Sequence, residues 1–198
     1  ETGQPKDQGI QVYSLDRAAE LEHVLGPIRQ QINEAGIPIE QSNPEYAPGQ
    51  VEVNIRYADA LTSADRMIAF RSLVKQLAMQ HGYIATFMAK PFFAESGNGF
   101  HVHHSLWKDG ANVFSDGGKL SKLGFAYLAG VQKRMVEASI CGTMTPNGYK
   151  RFQPFRFCPT NNTWGYDNRT VGLRVIEGQR GRMATLVCSW EAALKSDE

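Results

Sequence analysis

Between residues 90 and 107 the chain reads K-P-F-F-A-E-S-G-N-G-F-H-V-H-H-S-L-W, and this run restricts the fold more than any other. Gly97 and Gly99 loosen the backbone, and alternation follows them. A strand over residues 99–107 has a period of two. It puts His101, His103, Ser105 and Trp107 on one face and Val102, His104 and Leu106 on the other. An isolated strand histidine is ordinarily a hydrogen-bonded surface or core residue. Here three of the chain's five histidines fall within four positions. The H-x-H spacing suits a metal ion or a phosphate, because imidazole is both a ligand and a donor.

A second constellation is N-P-E-Y-A-P-G-Q-V-E-V-N at residues 43–54. Glu45 and Glu52 sit at its ends, and Pro48-Gly49 supplies the turn between them. After the turn Val51, Val53 and Ile55 alternate with Glu52, Asn54 and Arg56, which predicts a half-buried strand with Glu52 pointing away from its apolar side. Read on spacing alone the two glutamates are solvated turn and edge residues. If the fold brings them together they repel, and a hard divalent ion between them is the economical remedy.

The remaining elements are read from periodicity. Leu21, Leu25, Ile28 and Ile32 predict a helix capped by Asp16 and ended by Gly36, kinked or split at Pro27. Met67, Phe70, Val74 and Leu77 predict a helix over residues 63–82 with Ser63 as its cap, and residues 83–90 read as a strand. Asp109-Gly110 is a turn signal before a short return strand at Val113-Phe114. Leu128, Val131, Met135 and Ala138 predict a long helix over residues 121–140. Residues 143–165, with three prolines, read as a long loop of the kind that carries function, holding Arg151 and Arg156. Arg169 opens a last strand, in which Val171, Leu173 and Val175 alternate with Thr170, Gly172 and Arg174. Arginines that converge on one site suit carboxylates and phosphates, which the guanidinium fork bonds bidentately.

Composition excludes several classes. With 198 residues, 42% hydrophobic and 21% charged, the chain is a globular domain's worth of sequence. A net charge of +1 without a basic run argues against nucleic acid or a membrane surface as partner. Cys141, Cys158 and Cys188 are an odd number without ligand spacing, so a reducing, cytoplasmic setting is expected.

The run K-P-x-x-x-x-x-G-x-G-x-H-x-H-x-S-L-W resembles the central signature of the glutamine synthetase family. The segments N-P-E-Y-A-P-G-Q-V-E-V-N, N-G-Y-K-R at 147–151 and W-G-Y-D-N-R-T-V-G-L-R at 164–174 are similar to that family's metal, substrate and nucleotide segments, in the family's order. The resemblance implies an α+β fold: a curved, mainly antiparallel sheet with helices packed outside. It also implies one partial catalytic domain over residues 1–198 without the family's small N-terminal domain. The implied activity is an ATP-dependent ligase that phosphorylates the γ-carboxylate of glutamate and then joins ammonia or an amine to it. Mg2+ or Mn2+ would be its metal, and a homo-oligomeric ring its assembly.

Carried over position by position, Glu45 and Glu52 would hold one divalent ion and His101 another. His103 and Ser105 would face the nucleotide. Ser96 and Gly97 would line the glutamate site, and Arg151 would grip the glutamate carboxylate. Arg169 would neutralise the transferred phosphoryl, and Arg174 the nucleotide phosphates.

Three departures bear on these expectations. The family's E-x-E strand has no counterpart in these residues. Ammonia-using members carry a glutamate six residues after the motif arginine where this chain has Phe157, which tilts the acceptor toward an alkyl amine or polyamine. After Gln179 the family's R-I-E-x-R is replaced by A-T-L-V-C-S-W-E-A-A-L-K-S-D-E, so a fragment shifted out of frame near Gly181 is expected. A non-catalytic relative that keeps the fold stays open beside the ligase. A zinc hydrolase built on His101 and His103 is weak, because no H-E-x-x-H accompanies them.

Overall fold

The computed structural model describes residues 9, 10, 12–179 and 183–189. The chain divides into two compact units, Glu1–Phe87 and Met88–Glu198.

In the first unit α1 (Leu15–Glu34) is followed by the hairpin β1 (Ile39–Pro44) and β2 (Val51–Ile55), and then by α2 (Ala60–Gln80). Helix α1 runs unbroken through Pro27, and its cap is Ser14, whose hydroxyl accepts from the Arg17 amide, rather than Asp16. An interior proline costs about 3 kcal/mol. Five side chains on both sides of it, Leu21, Val24, Leu25, Ile28 and Ile32, are buried in one cluster, each worth about 1.5–3 kcal/mol. Packing therefore wins over the proline. Helix α2 begins three residues ahead of the expected Ser63, because Asp59 accepts from the Thr62 amide at 3.0 Å and caps it first. Its Phe70 and Leu77 join the α1 cluster, whereas Met67 stays exposed. Val51, Val53 and Ile55 pack against the same cluster, so the other side of β2 presents Glu52 and Asn54, as its alternation requires.

Residues 83–100 are irregular where a strand was expected over residues 83–90; residues 83–87 belong to the first unit and 88–100 open the second. The histidine strand is shorter than its alternation suggested: β3 covers only His101–His104, and Trp107 belongs to a separate two-residue strand, β4 (Trp107–Lys108). Asp109 (φ 50°) and Gly110 (φ 76°) make the tight turn from β4 into β5 (Ala111–Asn112). The return strand thus lies two residues before Val113-Phe114. Phe114 is instead a core anchor, fully buried between that hairpin and the next, β6 (Ser115–Asp116) and β7 (Lys119–Leu120).

Helix α3 (Lys122–Gly142) starts on a Ser121 cap and sets Leu128 and Met135 in a cluster with Phe114, Leu120, Leu173 and Val175. The long loop contains a single turn of helix, α4 (Pro146–Tyr149), then β8 (Trp164–Tyr166), β9 (Leu173–Gln179) and β10 (Met183–Ser189). The strand order is β3-β10-β9-β8, antiparallel except for the β8–β9 pair. The expected α+β class with mainly antiparallel sheets therefore describes both units. Gly181, where the frame shift was expected, lies outside the described residues.

Candidate active site

The hairpin brings the two motif glutamates together. Register places Asn43 opposite Glu52, and the Glu45 amide donates to the Gln50 carbonyl at 2.9 Å to close the turn, with Gly49 at φ 69°. The Glu45 carboxyl is held above the ordinary carboxylate range, first by burial and next by its hydrogen bond to, and charge repulsion from, Glu52. Two amides flank this pair: Asn43 Nδ2 lies 3.5 Å from Glu45 Oε1, and Asn54 Nδ2 donates to Glu52 Oε1 at 3.0 Å. The side-chain carbonyl oxygens of both asparagines are buried without a hydrogen-bond partner among the described residues. Two neighbouring carboxyl groups beside two side-chain carbonyl oxygens without partners suit a hard divalent cation. They supply only part of its shell: among the described residues no group of three or more His, Cys, Asp and Glu side chains is assembled.

In the second unit the sheet sorts its histidines by face. His103 and Arg174 are both registered opposite residue 187 of β10, and His101 and Arg174 both act on His103, whose imidazole is held below its usual range by burial and then by those charges. The sheet thus places His101, His103 and Arg174 close together. His104 faces the other way, into the α3 cluster, where its Nδ1 shares a hydrogen bond of 2.7 Å with the Tyr127 hydroxyl. Burial alone lowers its pKa, which makes it a core histidine. Ser105 lies beyond the strand and accepts from the Trp107 indole at 3.1 Å. Arg174 reaches Asp167 at 4.0 Å. Arg169, expected to open the strand, is exposed in the turn ahead of β9, which Asn168 fixes by accepting from the Thr170 amide and hydroxyl.

Ser96, Gly97 and Arg151 form a second grouping. Ser96 is 8% and Arg151 6% exposed. A Cβ on Gly97 would stand 2.5 Å from the Ala89 carbonyl and 3.0 Å from Arg151 Nε, so only glycine lets this backbone lie against the guanidinium side chain. The juxtaposition is built by Asn147, whose side chain accepts from the Lys90 amide at 2.7 Å and donates to the Lys90 carbonyl at 2.8 Å. Lys90 in turn donates from its ammonium to the Glu95 carbonyl, and Asn98 donates to the Ala89 and Met88 carbonyls. Lys90 is 2% exposed, and burial, followed by Arg156 and Arg151, depresses its pKa. Periodicity set Asn54 on the polar side of β2 but had no means of finding Lys90, Asn147 or Asn43. A lysine opening a loop, and Asn43 and Asn147 beside prolines, look like turn chemistry until their partners are seen.

Residues 1–186 match the family model described as glutamine synthetase, catalytic domain. Over 176 residues the chain is 39% identical to glutamate–isopropylamine ligase of a Pseudomonas species, covering 87% of this chain and 38% of the relative. It is 36% identical over 164 residues to glutamine synthetase of Pyrococcus furiosus, covering 83% of this chain and 37% of the relative. A γ-glutamylethanolamide synthetase of Streptomyces coelicolor is 38% identical over 173 residues, covering 87% of this chain and 37% of the relative. The chain thus spans less than two fifths of the length of these curated relatives. Among solved structures, a GmaS/ADP complex superposes with a TM-score of 0.77 at 32% identity, over 97% of this chain and 46% of that one.

Proposed function

Because the chain belongs to the glutamine synthetase catalytic-domain family, we propose that the protein carrying it is an ATP-dependent ligase that joins ammonia or an amine to the γ-carboxylate of glutamate. The observation that carries this reading is the buried Arg151 against the Gly97 backbone, next to the buried Ser96 in the chain. A desolvated guanidinium beside bare backbone suits the carboxylate of an amino acid.

In this reading Arg151 orients glutamate, with Ser96 and Gly97 shaping the space beside it. His103, Ser105 and Arg174 serve the nucleotide, and Arg169 meets the transferred phosphoryl from its exposed turn. Glu45 and Glu52 would hold one Mg2+ or Mn2+, and His101 would be a ligand of a second. Bound there, such ions supply charge neutralisation for the phosphate oxygens. The assembly is a homo-oligomeric ring and the setting cytoplasmic; no helix among the described residues is long and apolar enough to cross a membrane.

Phe157 favours an acceptor with a carbon skeleton. It is 64% exposed in the loop after Arg151, and an apolar ring there offers ammonium no counter-charge but gives an alkyl group a surface to pack against. Phosphate release by the intact protein, with ATP, glutamate and Mg2+, tests both parts. Glutamate-dependent turnover raised more by one alkyl amine or polyamine than by ammonium is expected. Preference for ammonium would remove the Phe157 argument, and no turnover with any acceptor would leave a non-catalytic relative.

A further inference from the structure

The most buried charged side chain among the described residues has no part in the function proposed above. Lys90 is 2% exposed, deeper than Arg151 at 6%, and both of its main-chain polar groups are gripped by the Asn147 side chain. Its ammonium spends one of three donors on the Glu95 carbonyl. A neutral side chain could tether that carbonyl without the cost of burying a charge. Here the charge is retained where Arg156 and Arg151 both oppose it, while the opposite-sign influences, Glu95 and the Cys158 thiol, act more weakly. Cations gathered in a desolvated place are tolerated when an anion joins them.

We propose that Lys90 is the second cation of the Arg151 site, its ammonium helping to hold the carboxylate of the amino-acid substrate. The inference rests on the reading of Arg151 as a carboxylate-binding residue. The scaffold supports it from two sides. Asn147 lies four positions before Arg151 and clamps Lys90, so one short segment carries the guanidinium and fixes the lysine main chain. The Glu95 carbonyl that anchors the ammonium lies two positions before Gly97, whose backbone lies against Arg151. Moving Lys90 therefore moves the wall of the same site.

Glutamate binding by the intact protein, followed calorimetrically, tests this. Lys90→Met should weaken glutamate about 10- to 100-fold, the loss of one hydrogen bond to a charged group, and leave ADP affinity unchanged. The sign with pH is set by linkage. A bound anion favours the protonated lysine, so wild-type affinity falls as pH rises through the depressed pKa of Lys90. Lys90→Arg should restore affinity and abolish that alkaline limb, since arginine does not titrate there. The glutamate ammonium is common to both proteins and cancels in the comparison. Cys158→Ser should keep the limb.

Wild-type affinity in Lys90→Met, an unchanged limb in Lys90→Arg, or a limb lost with Cys158→Ser would each overturn the proposal while leaving the ligase reading intact. If Lys90→Met does not fold, the pH profile of Lys90→Arg decides alone. A wild-type protein that binds no glutamate overturns both.

Discussion

In the β1–β2 hairpin the charge pressed against Glu45 is a second carboxylate, whereas around Lys90 the pressing charges are the guanidiniums of Arg156 and Arg151. The two places are opposite in sign, and they are built by opposite means. The hairpin puts Asn43, Glu52 and Asn54 on one side by strand register, and needs one unusual backbone angle for its turn, supplied by Gly49. The cationic place stands on loop, held by side-chain bonds from Asn147, Lys90 and Asn98 to main-chain groups, and it is followed by Phe155 at φ 62° and Phe157 at φ 58°. A hairpin can concentrate charge without strain, because alternation separates the polar side from the apolar one. A loop must fix each group individually. Its charges are correspondingly more buried and its geometry more fragile.

Arg151→Lys tests that fragility most severely. A lysine keeps the charge but loses the planar fork, which forfeits up to two charge-assisted bonds of about 1.5–3 kcal/mol each. The kcat/KM for glutamate in the intact protein should fall about a hundredfold or more, through KM. An unchanged KM would remove Arg151 from the substrate site and with it the contrast between the two places.

Glu52→Gln probes the hairpin with two effects of opposite sign. Divalent-ion affinity, measured by titration, should fall about 10- to 100-fold, because half of the carboxylate pair is gone. Without metal the same change should raise Tm by about 1–3 °C at neutral pH, since it relieves the repulsion on Glu45. A raised carboxyl favours the fold below its unfolded pKa and loses that advantage as pH rises through the folded value. The gain should therefore vanish in acid. A variant less stable without metal would mean that the hydrogen bond between the two carboxyls stabilises the hairpin more than their repulsion weakens it. Asn54→Ala sharpens the same point at smaller scale: losing the 3.0 Å donor to Glu52 should weaken the ion about tenfold.

The same difference decides what was legible in the sequence. Val51, Val53 and Ile55 announced the inner side of β2 and hence the direction of Glu52, because one buried side fixes the orientation of every residue in a strand. Alternation likewise grouped His101 with His103. It failed after residue 104, where the chain leaves the sheet for a separate hairpin, since turn geometry at Asp109-Gly110 and the burial of Phe114 outrank a continued period. Helix stripes located α1, α2 and α3, and the start of α3 at Ser121, but not the first residues of α1 and α2, which belong to Ser14 and Asp59 through single capping bonds. The surroundings of Lys90 leave no periodic trace at all. Its partner Asn147 is 57 positions away, and the bonds run from a side chain to the main chain, so neither residue type nor spacing encodes them.

The strain in the loop gives the smallest effect. Phe155 is fully exposed, so its ring gains little from packing, yet its backbone sits in the left-handed region at φ 62°. That conformation costs a residue with a Cβ about 1–2 kcal/mol, of which glycine's extra unfolded-state entropy takes back about 0.5–1. Phe155→Gly should therefore stabilise the protein by about 0.5–1 kcal/mol in urea unfolding, without altering glutamate affinity. A loss of stability would show that the exposed ring is covered in the assembled protein. A change in glutamate affinity at constant stability would show that the strain is transmitted to Arg151, in which case the loop carries the site as tightly as the hairpin carries its carboxylates.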